Sequence, residues 1–164
     1  GCSRGDEPYS VAIMLDELGL LHKSLIYATD FNPRVLKEAQ NALFPREDFI
    51  HFKSNYRESA GKKDLEDWFE MEENFVSIKE HIKKKVLFFE HNLVTDDSIN
   101  DFHLIFCRNV LIYFNKNLQG TVFKTIDNSL YGGGFLVLGE SENLPQNLKY
   151  KILENKIYKK MKKR

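Results

Sequence analysis

The apolar residues of the chain fall into short blocks separated by polar punctuation. Val11, Met14, Leu15 and Leu18 recur at i, i+3, i+4 and i+7, which predicts a helix with that stripe inward. The helix opens after a glycine-containing loop at residues 1–7 and stops near Gly19. Pro8 suits its first turn, where a missing N–H costs nothing. Asp6 and Glu7 suit the positive end of its dipole. Residues 25–28 read as a short buried strand that ends at Thr29-Asp30. Asn32-Pro33 then opens a helix through Val35, Leu36 and Ala39. Residues 64–73 look helical and acidic, and Phe75–Ile78 and residues 86–89 look like strands. Pro45, Asn55 and Gly61 punctuate the stretch 42–85, which is the least informative part of the chain.

The pattern is clearest at residues 101–114. Phe102–Cys107 is mostly apolar and unbroken, as a strand buried on both faces reads. It stops at the polar pair Arg108-Asn109, and Tyr113 follows four residues after Asn109, on one helical turn. A strand that ends in polar residues and passes into a helix is a ligand-site layout in an open α/β sheet. An arginine that caps or salt-bridges a strand end fits the same spacing. A helix follows at residues 118–130, and Tyr131-Gly132-Gly133-Gly134 breaks it and launches a strand at 135–138. Gly139-Glu140-Ser141-Glu142-Asn143 forms the loop past that strand. Residues 150–161 read as a hairpin turning at Glu154-Asn155. Strands alternating with helices and closing on a hairpin predict an α/β fold, a mostly parallel sheet with an antiparallel C-terminal edge.

Composition narrows the function classes. The chain has 164 residues, 42% of them hydrophobic, which suits one domain with a real core. Lysine plus arginine and aspartate plus glutamate are both 24. That balance gives no global reason to expect nucleic acid or an anionic membrane as partner. The basic run at residues 159–164 reads as a solvated end. The run at 79–85 reads as a solvated face. Cys2 and Cys107 imply no disulfide framework, and small-hydrophobe packing is their default role. No Cys, His or Asp spacing suggests a metal, and no apolar run approaches a membrane span. With no signal peptide, the expected location is the cytoplasm.

Two further positions have binding chemistry. Asp30 follows the Gly5 turn at about the interval at which nucleotide folds place an acid on ribose hydroxyls. A carboxylate accepts from both hydroxyls at once. Asp30 or Asn32 serves equally as the N-cap of the next helix. Asn92 has a donor and an acceptor for an adenine edge, and Leu93 can pack on the ring face. An asparagine in a strand-ending turn has the same sequence appearance.

The stretch Phe106-Cys107-Arg108-Asn109-Val110-Leu111-Ile112-Tyr113-Phe114 resembles a signature of the chemotaxis protein-glutamate O-methyltransferases, the CheR family. The stretches GCSRGDEPYS at residues 1–10, Asn92-Leu93, and GESENL at 139–144 resemble that family in the same order. The resemblance implies a Rossmann-like class I methyltransferase sheet with a reversed last strand. It makes residues 1–164 a catalytic domain with an insertion at about 42–85, truncated at its N-terminus. A first strand and a helical N-terminal domain are expected before Gly1. The implied reaction is methyl transfer from S-adenosylmethionine to glutamates in the cytoplasmic domains of chemoreceptors, giving methyl esters and S-adenosylhomocysteine. Arg108 and Tyr113 would orient the acceptor carboxylate. Asp30 would hold the ribose, Asn92 and Leu93 the adenine, and Glu7 the ammonium, while Cys107 and Arg108 would line the methionine side. A cofactor-binding regulatory module without turnover, and a methyltransferase with another acceptor, are the alternatives.

Overall fold

The computed structural model describes residues 1–99 and 101–162. The chain forms two compact units, one of Cys2–Glu90 and one of Gly1 with His91–Arg164. Lys163 and Arg164, at the end of the basic C-terminal run, lie outside the described residues.

In the first unit, helix α1 (Asp6–Glu17) is followed by strand β1 (Ile26–Asp30) and helix α2 (Pro33–Asn41). Next come β2 (Leu43–Pro45), α3 (Asp48–Glu58), β3 (Phe69–Met71), β4 (Phe75–Ile78), the short α4 (Glu80–Lys83) and β5 (Val86–Glu90). Strands β1 and β5 pair in parallel from Ile26↔Val86 to Asp30↔Glu90, so their carboxyl ends coincide. Strands β2, β4 and β3 form an antiparallel sheet in that order.

The helix α1 stops where Gly19 takes a φ of +66°, as expected. Its inward stripe differs from the sequence reading. Tyr9, Ala12 and Ile13 are buried, whereas Met14 and Leu18 are exposed. Tyr9, Ala12 and Ile13 repeat the same spacing two positions earlier, which places them on nearly the opposite side of the helix. There the Tyr9 phenol also donates to the Ala39 carbonyl at 3.0 Å. Residues 64–73 are not a helix. A 3-10 turn at Leu65–Trp68 runs into β3, where Phe69 pairs with Ile78. Alternating apolar positions near Phe69 favoured the sheet over the helix that the acidic residues suggested. Lysines of the 79–85 run are less solvated than expected. The amines of Lys79, Lys83 and Lys85 donate to the carbonyls of Asp67, Asn41 and His22.

The second unit contains β6 (Phe102–Cys107), a 3-10 turn at Leu111–Tyr113, α5 (Lys116–Ser129), β7 (Leu130–Leu138), β8 (Tyr150–Glu154) and β9 (Ile157–Lys160). Its sheet order is β6-β7-β9-β8. The pair β6 and β7 is parallel, and β9 and β8 add antiparallel. The α/β class and the antiparallel C-terminal edge are as expected, on a mixed sheet with one parallel and two antiparallel pairs. Val122, Phe123 and Ile126 of α5 cluster with Cys107, Leu136 and Leu138.

Three details of this unit correct the sequence reading. First, β6 is not buried on both faces. Of its residues only Cys107 is buried, and His103 and Leu104 are exposed. The α5 helix covers one face of the strand, and apolar composition alone does not reveal that asymmetry. Second, β7 begins at Leu130 and absorbs the glycines. A Cβ at Gly134 would lie 3.0 Å from the His103 carbonyl oxygen, so glycine allows the close strand approach. Third, the hairpin turns at Asn155-Lys156, both with positive φ, one residue later than expected. That geometry matches the twist of the flanking strands. The basic end is also partly tied down, since the Lys160 amine donates to the Leu130 carbonyl and pairs with Asp127 at 3.4 Å. Among the described residues no helix is long and apolar enough to cross a membrane.

Trp68 anchors the first unit. It is almost fully buried, stacks edge-on against Tyr56, and donates its indole N–H to Asp16 Oδ2 at 2.8 Å. Trp68→Ala is expected to cost about 3–5 kcal/mol in chemical denaturation of this unit. A cost below about 1 kcal/mol would show that the site collapses around the missing ring.

Candidate functional site

The residues singled out in the sequence fall in both units. Glu7 and Asp30 lie in the first, at the carboxyl end of β1 and the start of α1. Asn92, Leu93, Cys107, Arg108 and Tyr113 lie in the second.

At the end of β1 the loop before α1 is bound to the strand. The Cys2 N–H donates to the Thr29 carbonyl at 2.9 Å. The Ser3 N–H donates to Asp30 Oδ2, and the Asn32 N–H to Asp30 Oδ1, both at 3.0 Å. Gly5 takes a φ of +92°, and a Cβ there would press on Tyr9 and Ala39 at 3.1 and 3.2 Å. Asp30 is 7% exposed. Each of its oxygens has one backbone N–H, and a carboxylate offers about four acceptor sites, so about two remain for a ligand. The helix cap belongs to Asn32, whose Oδ1 accepts from the Arg34 N–H at 3.0 Å. Asp30 is thus not the cap of α2. Glu7 sits half-buried in the first turn of α1 beside Asp6. Burial pushes the Cys2 thiol up to about 11, which leaves it protonated and non-nucleophilic at neutral pH.

In the second unit, Asn92 forms a turn of its own. Its Oδ1 accepts from the Val94 N–H at 3.0 Å, and its N–H donates to Asp96 Oδ2 at 2.8 Å. That bond, with one from Thr95, holds the Asp96 carboxyl below the usual range. The acceptor of the Asn92 amide is therefore engaged locally, and the donor side is what it can offer a ligand. Leu93 packs against the apolar cluster that contains Cys107 and Leu111. Cys107 is buried in that cluster. Arg108 is exposed and lines an open cavity of about 640 Å³ with Phe106, Val137, Glu140 and Lys156. Tyr113 is 81% exposed at the end of the 3-10 turn.

The sequence reading missed the residue that shapes this loop. Glu142 is 3% exposed. Its Oε1 accepts from the N–H groups of Val110 at 2.8 Å and Leu111 at 2.7 Å. Its Oε2 accepts from those of Asn109 at 3.1 Å and Gly139 at 2.7 Å. Asn109 takes a φ of +58° between them. A signal was present in the spacing Gly139-x-x-Glu142, a turn short enough to return an acid to its own strand end. Glu140, two residues earlier, looks the same in sequence and is exposed.

The chain is similar to known proteins along most of its length. The family model described as "CheR methyltransferase, SAM binding domain" matches residues 1–159. Cher3 of Pseudomonas putida is 39% identical over 144 residues, covering 88% of this chain and 53% of that protein. A chemotaxis protein methyltransferase of Borreliella burgdorferi is 32% identical over 166 residues, covering 98% of this chain and 56% of that protein. Chemotaxis protein methyltransferase 1 of Vibrio cholerae is 33% identical over 148 residues, covering 87% and 52%. The chain spans about half the length of the curated relatives it matches.

Asp30→Ala removes the acceptor of two backbone N–H groups. It is expected to cost about 1–3 kcal/mol of stability, read from urea unfolding with no ligand present. An unchanged midpoint would mean that water replaces the carboxylate without loss.

Proposed function

The chain belongs to the family of CheR methyltransferase SAM binding domains, and from that premise we propose that it methylates glutamate side chains of chemoreceptors in the cytoplasm. The product is a glutamate methyl ester. The observation that carries this reading is the family match, which runs from residue 1 to 159 through both compact units. It supports taking residues 1–164 as one catalytic domain, with the three-stranded antiparallel sheet at about 42–85 as an insertion.

The residues present fit the cofactor. The buried Asp30 carboxylate keeps free acceptor sites at a strand's carboxyl end, which suits the vicinal hydroxyls of a ribose. The Asn92 amide nitrogen, which donates to no side chain or carbonyl among the described residues, suits an acceptor on an adenine edge. Leu93 supplies an apolar surface beside it. Glu7 offers a negative charge to an ammonium. The family resemblance assigns Cys107 and Arg108 to the methionine side. S-adenosylmethionine supplies a methyl group on a cationic sulfur, and its transfer to a carboxylate oxygen requires no proton to move.

The chain's own work is then to align the acceptor. A glutamate carboxylate is ionised at neutral pH and needs no general base. Arg108 presents a planar fork that matches a carboxylate. Tyr113, exposed on the turn that follows, offers a hydroxyl to the same group. A full bidentate grip would dull the nucleophile, so Arg108 steers it through a positioning contact. Alignment of this kind supplies much of an enzymatic rate.

The direct test uses labelled methyl donor and receptor fragments with the whole protein. Label that alkali releases is an ester; alkali-stable label would overturn the glutamate acceptor. Asp30→Ala is expected to weaken S-adenosylhomocysteine binding by about 1.5–3 kcal/mol in calorimetry. Arg108→Ala is expected to slow saturated turnover by about a hundredfold, as a misplacement near 1 Å does. Its cofactor affinity should fall much less. Normal turnover in that variant would remove Arg108 from the acceptor side.

A further inference from the structure

We propose that Glu142 is a positioning residue for methyl transfer, fixing the backbone that presents Arg108 and Tyr113; this rests on the reading of those two residues given above. Four backbone N–H groups converge on its carboxylate, from Asn109, Val110, Leu111 and Gly139. Three of them belong to the segment between Arg108 and Tyr113. The fourth begins the loop after β7. One side chain therefore ties the ends of β6 and β7 together just where the candidate acceptor residues leave the sheet.

The loop does not hold this shape by local preference. Asn109 at φ +58° is in the left-handed region that non-glycine residues rarely occupy. Such a conformation persists where the surroundings over-determine it. The N–H groups of Val110 and Leu111 open a 3-10 turn and have no acceptor within it. The fit at the carboxylate is tight. A Cβ at Gly139 would lie 2.8 Å from Glu142 Oε2 and 2.9 Å from the Asn109 nitrogen, so the clamp admits glycine alone at that position. The loop carrying Glu142 is held in turn. The Lys156 amine donates to the Glu142 carbonyl at 2.7 Å and to Asn143 Oδ1 at 2.8 Å. Without the clamp, Asn109 relaxes to negative φ, and the directions of Arg108 and Tyr113 change with it. Glu142 itself stays buried and acts only through that backbone.

Glu142→Gln opens the clamp with almost no change in volume. The glutamine oxygen can serve one pair of N–H groups, and its amide hydrogens then face the other pair, donor against donor. The experiment measures acceptor kinetics, S-adenosylhomocysteine affinity and melting temperature on the whole protein. It compares Glu142→Gln, Arg108→Ala and the double variant. The expected result is a loss of about a hundredfold in kcat for Glu142→Gln, the scale of a 1 Å misplacement. Cofactor affinity should change little. The double variant should be no slower than Arg108→Ala alone, because both changes remove the same alignment. A slow Arg108→Ala with a normal Glu142→Gln would overturn this inference and leave the proposed function standing. So would losses that multiply in the double variant, which mark a purely structural role. Normal turnover in Arg108→Ala would overturn the reading of Arg108 and this inference with it. If Glu142→Gln does not fold, Lys156→Met takes its place in the same cycle. It keeps the stem and removes the second tie. A smaller loss in kcat, absent on the Arg108→Ala background, supports the inference; an unchanged kcat overturns it.

Discussion

A single buried carboxylate sets the shape of the second unit's candidate loop. Burying an ionised group costs several kcal/mol unless it is paired or fully hydrogen-bonded. Glu142 meets that condition with four backbone N–H groups. Hydrogen bonds to a charged acceptor contribute about 1.5–3 kcal/mol each, enough to offset desolvation and to hold Asn109 in a left-handed conformation. The same bonds satisfy donors at the start of a 3-10 turn that would otherwise be orphaned at a buried strand end. Arg108 and Tyr113 flank this fixed segment. Their side chains are exposed, and the backbone between them is held by three of these bonds.

The first unit uses the same device with a different acid. Asp30 closes β1 by accepting from Ser3 on one side and Asn32 on the other. It thereby joins the loop before α1 to the turn before α2. Asn32 caps α2 separately. The division of labour has a consequence for binding. An acid that capped the helix would face the helix axis, whereas Asp30 is held at the strand end with acceptor sites to spare. Gly5 at φ +92° brings the loop against Tyr9 and Ala39, and this close approach lets Ser3 reach the carboxylate.

The sequence was legible where a local pattern and the tertiary packing demanded the same thing. Phe102–Cys107 and Phe75–Ile78 match the observed strands at both ends. The left-handed end of α1 at Gly19 and the Pro33 start of α2 were equally plain, because Gly and Pro act through the backbone itself. The reading failed where packing chose between two local patterns. The α1 stripe lies two positions earlier, on nearly the opposite side of the helix, where the Tyr9 phenol finds the Ala39 carbonyl. Residues 64–73 became a 3-10 turn and a strand because Phe69 had a partner in Ile78, across a turn that the acidic composition concealed. Of the candidate site residues, Arg108 and Tyr113 are singled out by their place after a strand. The family resemblance, and not spacing, assigned them to an acceptor. Glu142 escaped because its partners are all backbone, which leaves no complementary side chain to recognise in sequence.

Both acids stand at the carboxyl end of a parallel strand, and the physical reason is general. At such an end the chain leaves the ladder, and its next N–H groups lose their sheet partners together. Water can satisfy them only where the loop is exposed. A loop that must be rigid and partly buried needs an internal acceptor of high capacity, and a carboxylate has about four sites in one plane. Neutral acceptors would leave donors unmet: Asn92 has one acceptor oxygen and holds only a turn of its own, through Val94. The choice of Asp at one strand and Glu at the other follows from reach. Asp30 collects donors from within two residues on one side and from the adjoining loop on the other. Glu142 must span from its own turn to the neighbouring strand's end, and the extra methylene supplies that distance. Shortening Glu142 to Asp would therefore preserve the charge and lose the geometry, and it is the geometry that sets where Arg108 and Tyr113 point.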